Sequence, residues 1–503
     1  MSKRIFTLCL GLVLLISFLS KVIPPQNDNF YFTMDQARDS LEVREILGSR
    51  RILLEGPETG IGGFFAGPLW YYFIASGYWS FRGHPFGALF LLILLNTFLT
   101  GILMWQLAKK VSYSCAFLTG ISLQFFWPFY DTSCYAFNPF PLVFLSFLLI
   151  LFLINSLERQ GKYFLLAALP VGLAFQTEIA GAIALLLFFL LIAAVLKIKR
   201  MITPKVLIMA ILLISFFFLP HLISELNSNF SQARALLNRI TAADSALTGT
   251  NFKFISVRFL GLVGQSTIPQ SQPLSLLLFL AITVSFFTRS KTNGFTKQFV
   301  SLTLALFLIS WLWFSSTKGW QTWQTVYLPP LLFVSLILMI WQMPGKIALA
   351  ILTLLMISQF WFFKDRYSQN LHPSDDPSLL SNEIKAVDWV YQQAEGKGFF
   401  VYHYLPSVLD YPYQYLFWWY GRQKYHYLPC EYSSYPGSPK LFIRDSQKYQ
   451  EPQRPCTNLR FLIIEPDKNT ENQNRWLEGT RKNTQLIKQT KTGRITVEMR
   501  STH

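Results

Sequence analysis

Residues 29–72 read NFYFTMDQARDSLEVREILGSRRILLEGPETGIGGFFAGPLWYY. Asp35, Arg38, Asp39, Glu42, Arg44, Glu45, Arg50, Arg51, Glu55 and Glu58 crowd the first two thirds, and aromatic residues close it. Before it lies an apolar run, residues 5–23, opened by Lys3 and Arg4. After it, as far as residue 363, one apolar segment follows another. A charged loop between runs of about 20 apolar residues reads as an excursion out of a membrane. The expected class is therefore a mostly α, polytopic membrane protein.

Composition agrees. Of 503 residues, 52% are hydrophobic and 14% are charged, against about 25% charged in an ordinary soluble chain. Lipid tolerates few charges. A formal net charge of +17 raises the question of nucleic acid, but the basic residues sit in short clusters between apolar runs. That is the pattern of cytoplasmic loops, and no nucleic-acid partner is expected. The first run leads into SKVIPPQND without a small-x-small cleavage site, so it reads as an uncleaved anchor with a cytoplasmic N-terminus.

Spans are placed by apolar length and oriented by basic loops. They are residues 5–23, 85–107, 111–129, 140–157, 163–176, 179–196, 206–223, 273–287, 299–314, 326–342 and 347–363, about eleven in all. Residues 63–81, interrupted by Gly67-Pro68, read as a helix at the outer surface. Two long loops fall outside, 24–84 and 224–270. The short outer turn DTSCYAFNP holds Asp131 and Asn138. Basic clusters fall on one side throughout, with Lys21 and Lys318 as the main exceptions.

From residue 364 to 503 no further span appears. Residues 382–393 have helical spacing, and 399–405, 461–465 and 494–499 read as strands. The expected organisation is a transmembrane module, 1–363, and a small extracytoplasmic α/β domain, 364–503. Cys430 and Cys456 share that domain, where an oxidising exterior favours a disulfide.

Asp35 is the leading chemical candidate. A carboxylate held in a partly dry setting at the membrane face has a raised proton affinity and suits a general base. It reads equally as part of a helix start, with Thr33 or Asp35 capping a helix through Leu47.

The blocks MDQARDSLEVREIL and LLEGPETGIGGFFAGPLWYY resemble the first outer loop of the C-type (GT-C) membrane glycosyltransferases. More narrowly, they resemble bacterial and archaeal relatives of the dolichyl-phosphate-mannose protein mannosyltransferases and the lipid A aminoarabinose transferase. Asn138-Pro139, GLAFQTE (172–178), Leu219-Pro220 and DYPYQYLFWWYGRQKY (410–425) extend the likeness in order along the chain. The resemblance implies that Asp35 is the catalytic carboxylate. Many members have Asp-Glu there, whereas this chain has Asp35-Gln36, so a second acid is Asp39 or absent. Glu178, near the outer end of a span where a charge is costly, reads as a supporting acid that orders the site or binds a cation, or as a wet turn residue. Ala66-Gly67-Pro68-Leu69 stands where members often carry Lys or His, so another cation must meet the donor phosphate. Arg258 ranks first for that role, ahead of His221, Lys318 and Arg38. Arg258 also reads as a snorkelling interface residue, and Arg38 as a helix partner of Glu42. Trp70, Tyr71, Trp320 and Tyr327 are candidate groove aromatics, or members of the interfacial aromatic belt.

The implied reaction is inverting transfer of a sugar from a polyprenyl-phosphate donor to a hydroxyl of a protein, lipid or glycan, on the extracytoplasmic face of the plasma membrane. Nucleotide sugars do not cross a membrane unaided, which independently favours a lipid-linked donor. No cofactor is evident, and a divalent metal is the one added group to consider. The rival readings are a transporter or flippase, for which no internal repeat is found, and a non-catalytic assembly protein.

Overall fold

The apolar runs fold as helices. A computed structural model describes residues 1–159, 161, 163–241, 249–289, 292–317, 320–407, 409–437 and 454–502. Among these, seven helices are long and apolar enough to cross a membrane: Lys3–Val22, Phe86–Lys110, Pro141–Glu158, Ile179–Ile198, Gly294–Ser315, Thr322–Trp341 and Gly345–Leu371. Pro204–Phe216 and Leu219–Asn227 meet the test together across a 50° bend, which makes eight. Twenty residues at about 1.5 Å each match a hydrocarbon core of about 30 Å. The remaining expected spans are shorter helices, Tyr113–Gln124, Phe164–Ala174 and Gln272–Phe287. By length and composition, then, seven or eight helices among the described residues meet the criterion for a span, and these shorter ones do not reach it by themselves. Local breakers shorten two of them: Trp127-Pro128 opens a new turn after the first, and Pro170 lies inside the second.

The chain divides into two compact units. One comprises Met1–Val22, Ile52–Ile74 and Leu89–Tyr367; the other comprises Ile23–Arg51, Ala75–Ala88 and Ser368–His503. In the first unit, the Lys3–Val22 helix buries Phe6, Val13, Ser17 and Lys21 and exposes Leu8, Leu12, Leu15 and Leu19. An exposed leucine stripe at helical spacing is what lipid solvates. Leu328–Trp341 is the hub, with every residue from Leu328 to Ile340 buried. Lys21, the exception in the loop-charge pattern, is not a loop charge at all. Its buried ammonium donates to Ser17 O (3.1 Å), Ser17 Oγ (2.9 Å) and Gln124 Oε1 (2.8 Å). Three acceptors use its three donors and tie the first helix to Tyr113–Gln124. The expected outer loop 224–270 is largely helical instead, as Ser231–Thr241 and Gly249–Ser266. The latter buries Ile255, Phe259, Leu262 and Val263 among the bundle helices. Lys253 and Arg258 dilute its apolar signal in the sequence.

The second unit holds a five-stranded sheet of β1 (Gly398–Tyr404), β2 (Glu431–Ser433), β3 (Cys456–Ile464), β4 (Thr484–Thr492) and β5 (Ile495–Thr502). The order is β2-β1-β3-β5-β4, with β1 parallel to β2 and β3. β5 runs antiparallel to β3 and β4. β1, GFFVYHY, is buried almost throughout, as a central parallel strand requires. β4, TQLIKQTKT, is an exposed edge whose lysines suit that position; lacking an apolar face, it had no strand signal in the sequence. Leu380–Ala394 packs on the sheet with its apolar stripe. Phe32 donates its N–H to Ser378 O (2.9 Å), and Tyr31 bridges Leu379, so the stretch after the first helix is part of this unit.

Candidate active site

Asp35 lies in the first turn of the Met34–Ser49 helix. Thr33 is the N-cap, and its backbone N–H donates to Gln36 Oε1 (2.9 Å). This capping box sets the helix phase and places Asp35 where the positive end of the helix favours a carboxylate. Arg38 Nη1 holds Asp35 Oδ1 at 3.0 Å, and Nη2 holds Asp39 Oδ1 at 2.8 Å. Asp39 is buried, whereas the Asp35 side chain stays 36% exposed. Of the two acids clamped by one guanidinium, Asp35 is therefore the one open to a reactant. Beneath them, Ser40 bonds the Tyr78 hydroxyl. Arg44 pairs with Glu45 (3.2 Å) and lies 5.4 Å from the Trp418 ring.

In the first unit, residues 55–67 form a tight hairpin. Gly56 N–H donates to Ala66 O (2.8 Å) and Ala66 N–H to Pro57 O (2.9 Å). A Cβ on Gly56 would stand 2.0 Å from Gly67 O. The hairpin is tied to the helices around it. Phe65 N–H donates to Gln232 Oε1 (3.1 Å), Phe65 O meets His221 Nε2 (2.8 Å), and Glu55 accepts from Gln232 Nε2 (3.1 Å) and Ser224. Gln176 supports its end, accepting from Leu69 N–H (3.4 Å) and donating to Phe217 O (2.8 Å). At Ala66–Leu69, where the resemblance expects a basic group, the neighbours are thus an amide and an imidazole.

The same unit contains a cavity of about 620 Å³, within the 300–1,000 Å³ usual for ligand sites. Its aromatic walls include Trp127, Tyr135, Trp320 and Trp323. Its charged lining, among the described residues, is Arg258, Arg366 and Asp131. Arg258 stands over Phe254 (5.1 Å) and Arg366 over Phe362 (3.7 Å) and Trp127 (5.7 Å). Ring faces thus hold both guanidiniums at the wall. Burial pushes the Asp131 carboxyl up to about 6, with the nearby Arg366 pulling the other way.

Of the residues singled out from sequence, Arg258 and Trp320 meet in this cavity. Tyr327 is fully buried, bonded to Ser310 (2.8 Å). Trp70 and Tyr71 are packed in the interior. Glu178 caps Ile179–Ile198, accepting from Ala180 N–H (3.2 Å) and Gly181 N–H. His221 is spent on the hairpin carbonyl. Lys318 lies outside the described residues. Cys430 and Cys456 are bonded, with Cα atoms 6.0 Å apart. Among the described residues no three His, Cys, Asp or Glu side chains gather to hold a metal ion. The cavity role of Arg366 was not read from QFWFFKDRY, where it passes for an interface charge, and Asp131 was noted only as a turn residue.

These features define a multi-pass helical membrane protein with a small mixed-sheet unit. By sequence, no family model and no curated protein matches the chain. By structure, it is similar to ArnT from Cupriavidus metallidurans bound to undecaprenyl phosphate, with a TM-score of 0.61 and 13% identity over 99% of this chain and 98% of that one. The apo form of ArnT gives a TM-score of 0.59 and 13% identity over 98% and 97%. An oligosaccharyltransferase from Archaeoglobus fulgidus aligns at a TM-score of 0.40 and 9% identity over 97% and 72%.

Proposed function

We propose that the protein is an inverting glycosyltransferase that takes a sugar from a polyprenyl-phosphate donor and delivers it to a hydroxyl on the extracytoplasmic face of the membrane. The cavity is the observation that carries this reading. Aromatic walls with two guanidiniums suit a phosphate on an apolar chain next to a sugar, since aromatic faces receive sugars and isoprenoids while arginine is the side chain best shaped for phosphate. The fold shared with ArnT, crystallised with undecaprenyl phosphate, supports the same donor class.

The base proposed for the acceptor hydroxyl is Asp35, a residue of the second unit, on the resemblance of its segment and its exposed place in the first turn of Met34–Ser49. The hydroxyl oxygen bonds the anomeric carbon from the face opposite the phosphate, and the carbon–oxygen bond to phosphate breaks. Arg258 and Arg366 hold the phosphate and stabilise the charge that grows on its leaving oxygen. Arg38 holds the Asp35 carboxylate in place, Nη1 to Oδ1 at 3.0 Å. The sugar and the acceptor are to be read from experiment. Membranes containing the protein, offered a panel of radiolabelled polyprenyl-phosphate sugars, should move one label. Asp35→Asn should abolish that movement with expression and insertion intact. Undiminished transfer by Asp35→Asn would remove Asp35 from the mechanism, and no transfer of any label by the wild type would remove the donor class.

A further inference from the structure

Transfer changes the charge of the lipid. A sugar-linked polyprenyl phosphate is a phosphodiester with one negative charge. When the sugar–oxygen bond breaks, the electron pair stays on phosphate, the acceptor proton goes to Asp35, and the lipid becomes a phosphate monoester. Such a monoester carries close to two negative charges above its second pKa of about 6. A site with two arginines and no counter-charge would therefore hold the product more tightly than the donor and stall after one turnover.

The cavity does not have that composition. Asp131 lines it together with Arg258 and Arg366, leaving a single net positive charge among the described residues. Asp131 follows the Trp127–Tyr130 turn, whose Trp127 ring lies under Arg366. The ionisable groups beside this turn include the Tyr130 and Tyr367 hydroxyls, and the Lys21 ammonium stands 5.6 Å from the Phe129 ring and 5.9 Å from the Tyr130 ring. We propose that Asp131 is a specificity-determining residue that weakens the cavity's hold on the doubly charged spent carrier more than on the singly charged donor, so that the product leaves. This rests on the donor reading above. A carboxyl raised to about 6 by burial is still largely ionised at pH 8, as the role requires.

The test compares two lipids with the same chain, polyprenyl phosphate and its methyl phosphodiester, which differ by one charge at pH 8 and carry no sugar. Binding of each is measured to the purified full-length protein in nanodiscs. Wild-type protein should show a monoester-to-diester preference about threefold smaller than Asp131→Asn does. Asp131→Asn should tighten the monoester about tenfold, as expected for one unit charge at partly screened range, and the diester by only about threefold. Asp131→Glu should retain the wild-type ratio, which a merely structural role for the carboxyl would not guarantee. Arg366→Gln should move the ratio the opposite way and gives an independent reading if Asp131→Asn does not fold. A monoester-to-diester ratio unchanged in both Asp131→Asn and Arg366→Gln overturns the inference while leaving the donor reading intact. Binding of neither lipid by wild-type protein overturns the donor reading and this inference with it.

Discussion

Replacing Gly67 with alanine tests how the hairpin at residues 55–67 is held. A Cβ at this position would stand 2.0 Å from Gln176 Oε1, 2.2 Å from its Cδ and 2.3 Å from its Nε2. No side chain tolerates such contacts, so Gln176 must leave. Gln176 is buried, and it accepts from Leu69 N–H and donates to Phe217 O (2.8 Å). Displacing it leaves two backbone groups without their partner, at about 1–3 kcal/mol for a well-buried one. The Leu69 contact is long at 3.4 Å and contributes the lesser share, so a total of about 2–4 kcal/mol follows. Gln176→Ala alone should cost about as much, because it removes the same two bonds. The double variant, with the clash gone, should cost little more than either single one, a coupling of about 2–4 kcal/mol where independent sites add. Thermal or SDS-induced unfolding of the purified protein, run as a double-mutant cycle, measures this. Strict additivity would show that Gly67 and Gln176 do not meet, and the hairpin packing argued here would be wrong.

Two further outcomes concern the second unit. Glu465 is pushed up to about 7 by burial, against the hydrogen bond from Tyr413 (3.0 Å), and Glu383 is raised by burial and by Glu465 and Asp376. Raised folded-state values mean that the folded chain binds more protons. Stability should therefore be greatest below about pH 4.5 as far as these groups decide it, and fall as pH rises through 7; hydrogen exchange of the Leu380–Ala394 helix should quicken over that window, and Glu383→Gln should flatten the slope. Reducing the Cys430–Cys456 bond, which closes a sequence separation of 26 residues, should cost about 3 kcal/mol by the loop-entropy argument. Differential scanning with and without a reductant, against Cys430→Ser/Cys456→Ser as control, checks that figure, and a shift of equal size in the double serine variant would assign it to something other than this bond.

Membrane helices were legible because their signal is local. Apolar length alone marks Lys3–Val22 or Ile179–Ile198, and Thr33 with Gln36 announces the helix that carries Asp35. Strands that are apolar almost throughout, such as β1, also declared themselves. The exposed β4 and the charged Gly249–Ser266 helix did not, since each owes its conformation to neighbours that no window of sequence contains. The same limit governs the chemistry. Asp35 stands out because its own segment is dense with charge. Asp131, Arg258 and Arg366 each look like an ordinary charge at the end of an apolar run, and only packing brings them to one cavity wall. What local sequence settles is which segments leave water and which of them is followed by a charged stretch. Which distant charges share a dry space, and so set its net sign, depends on contacts between helices far apart in the chain, and tertiary structure alone decides it.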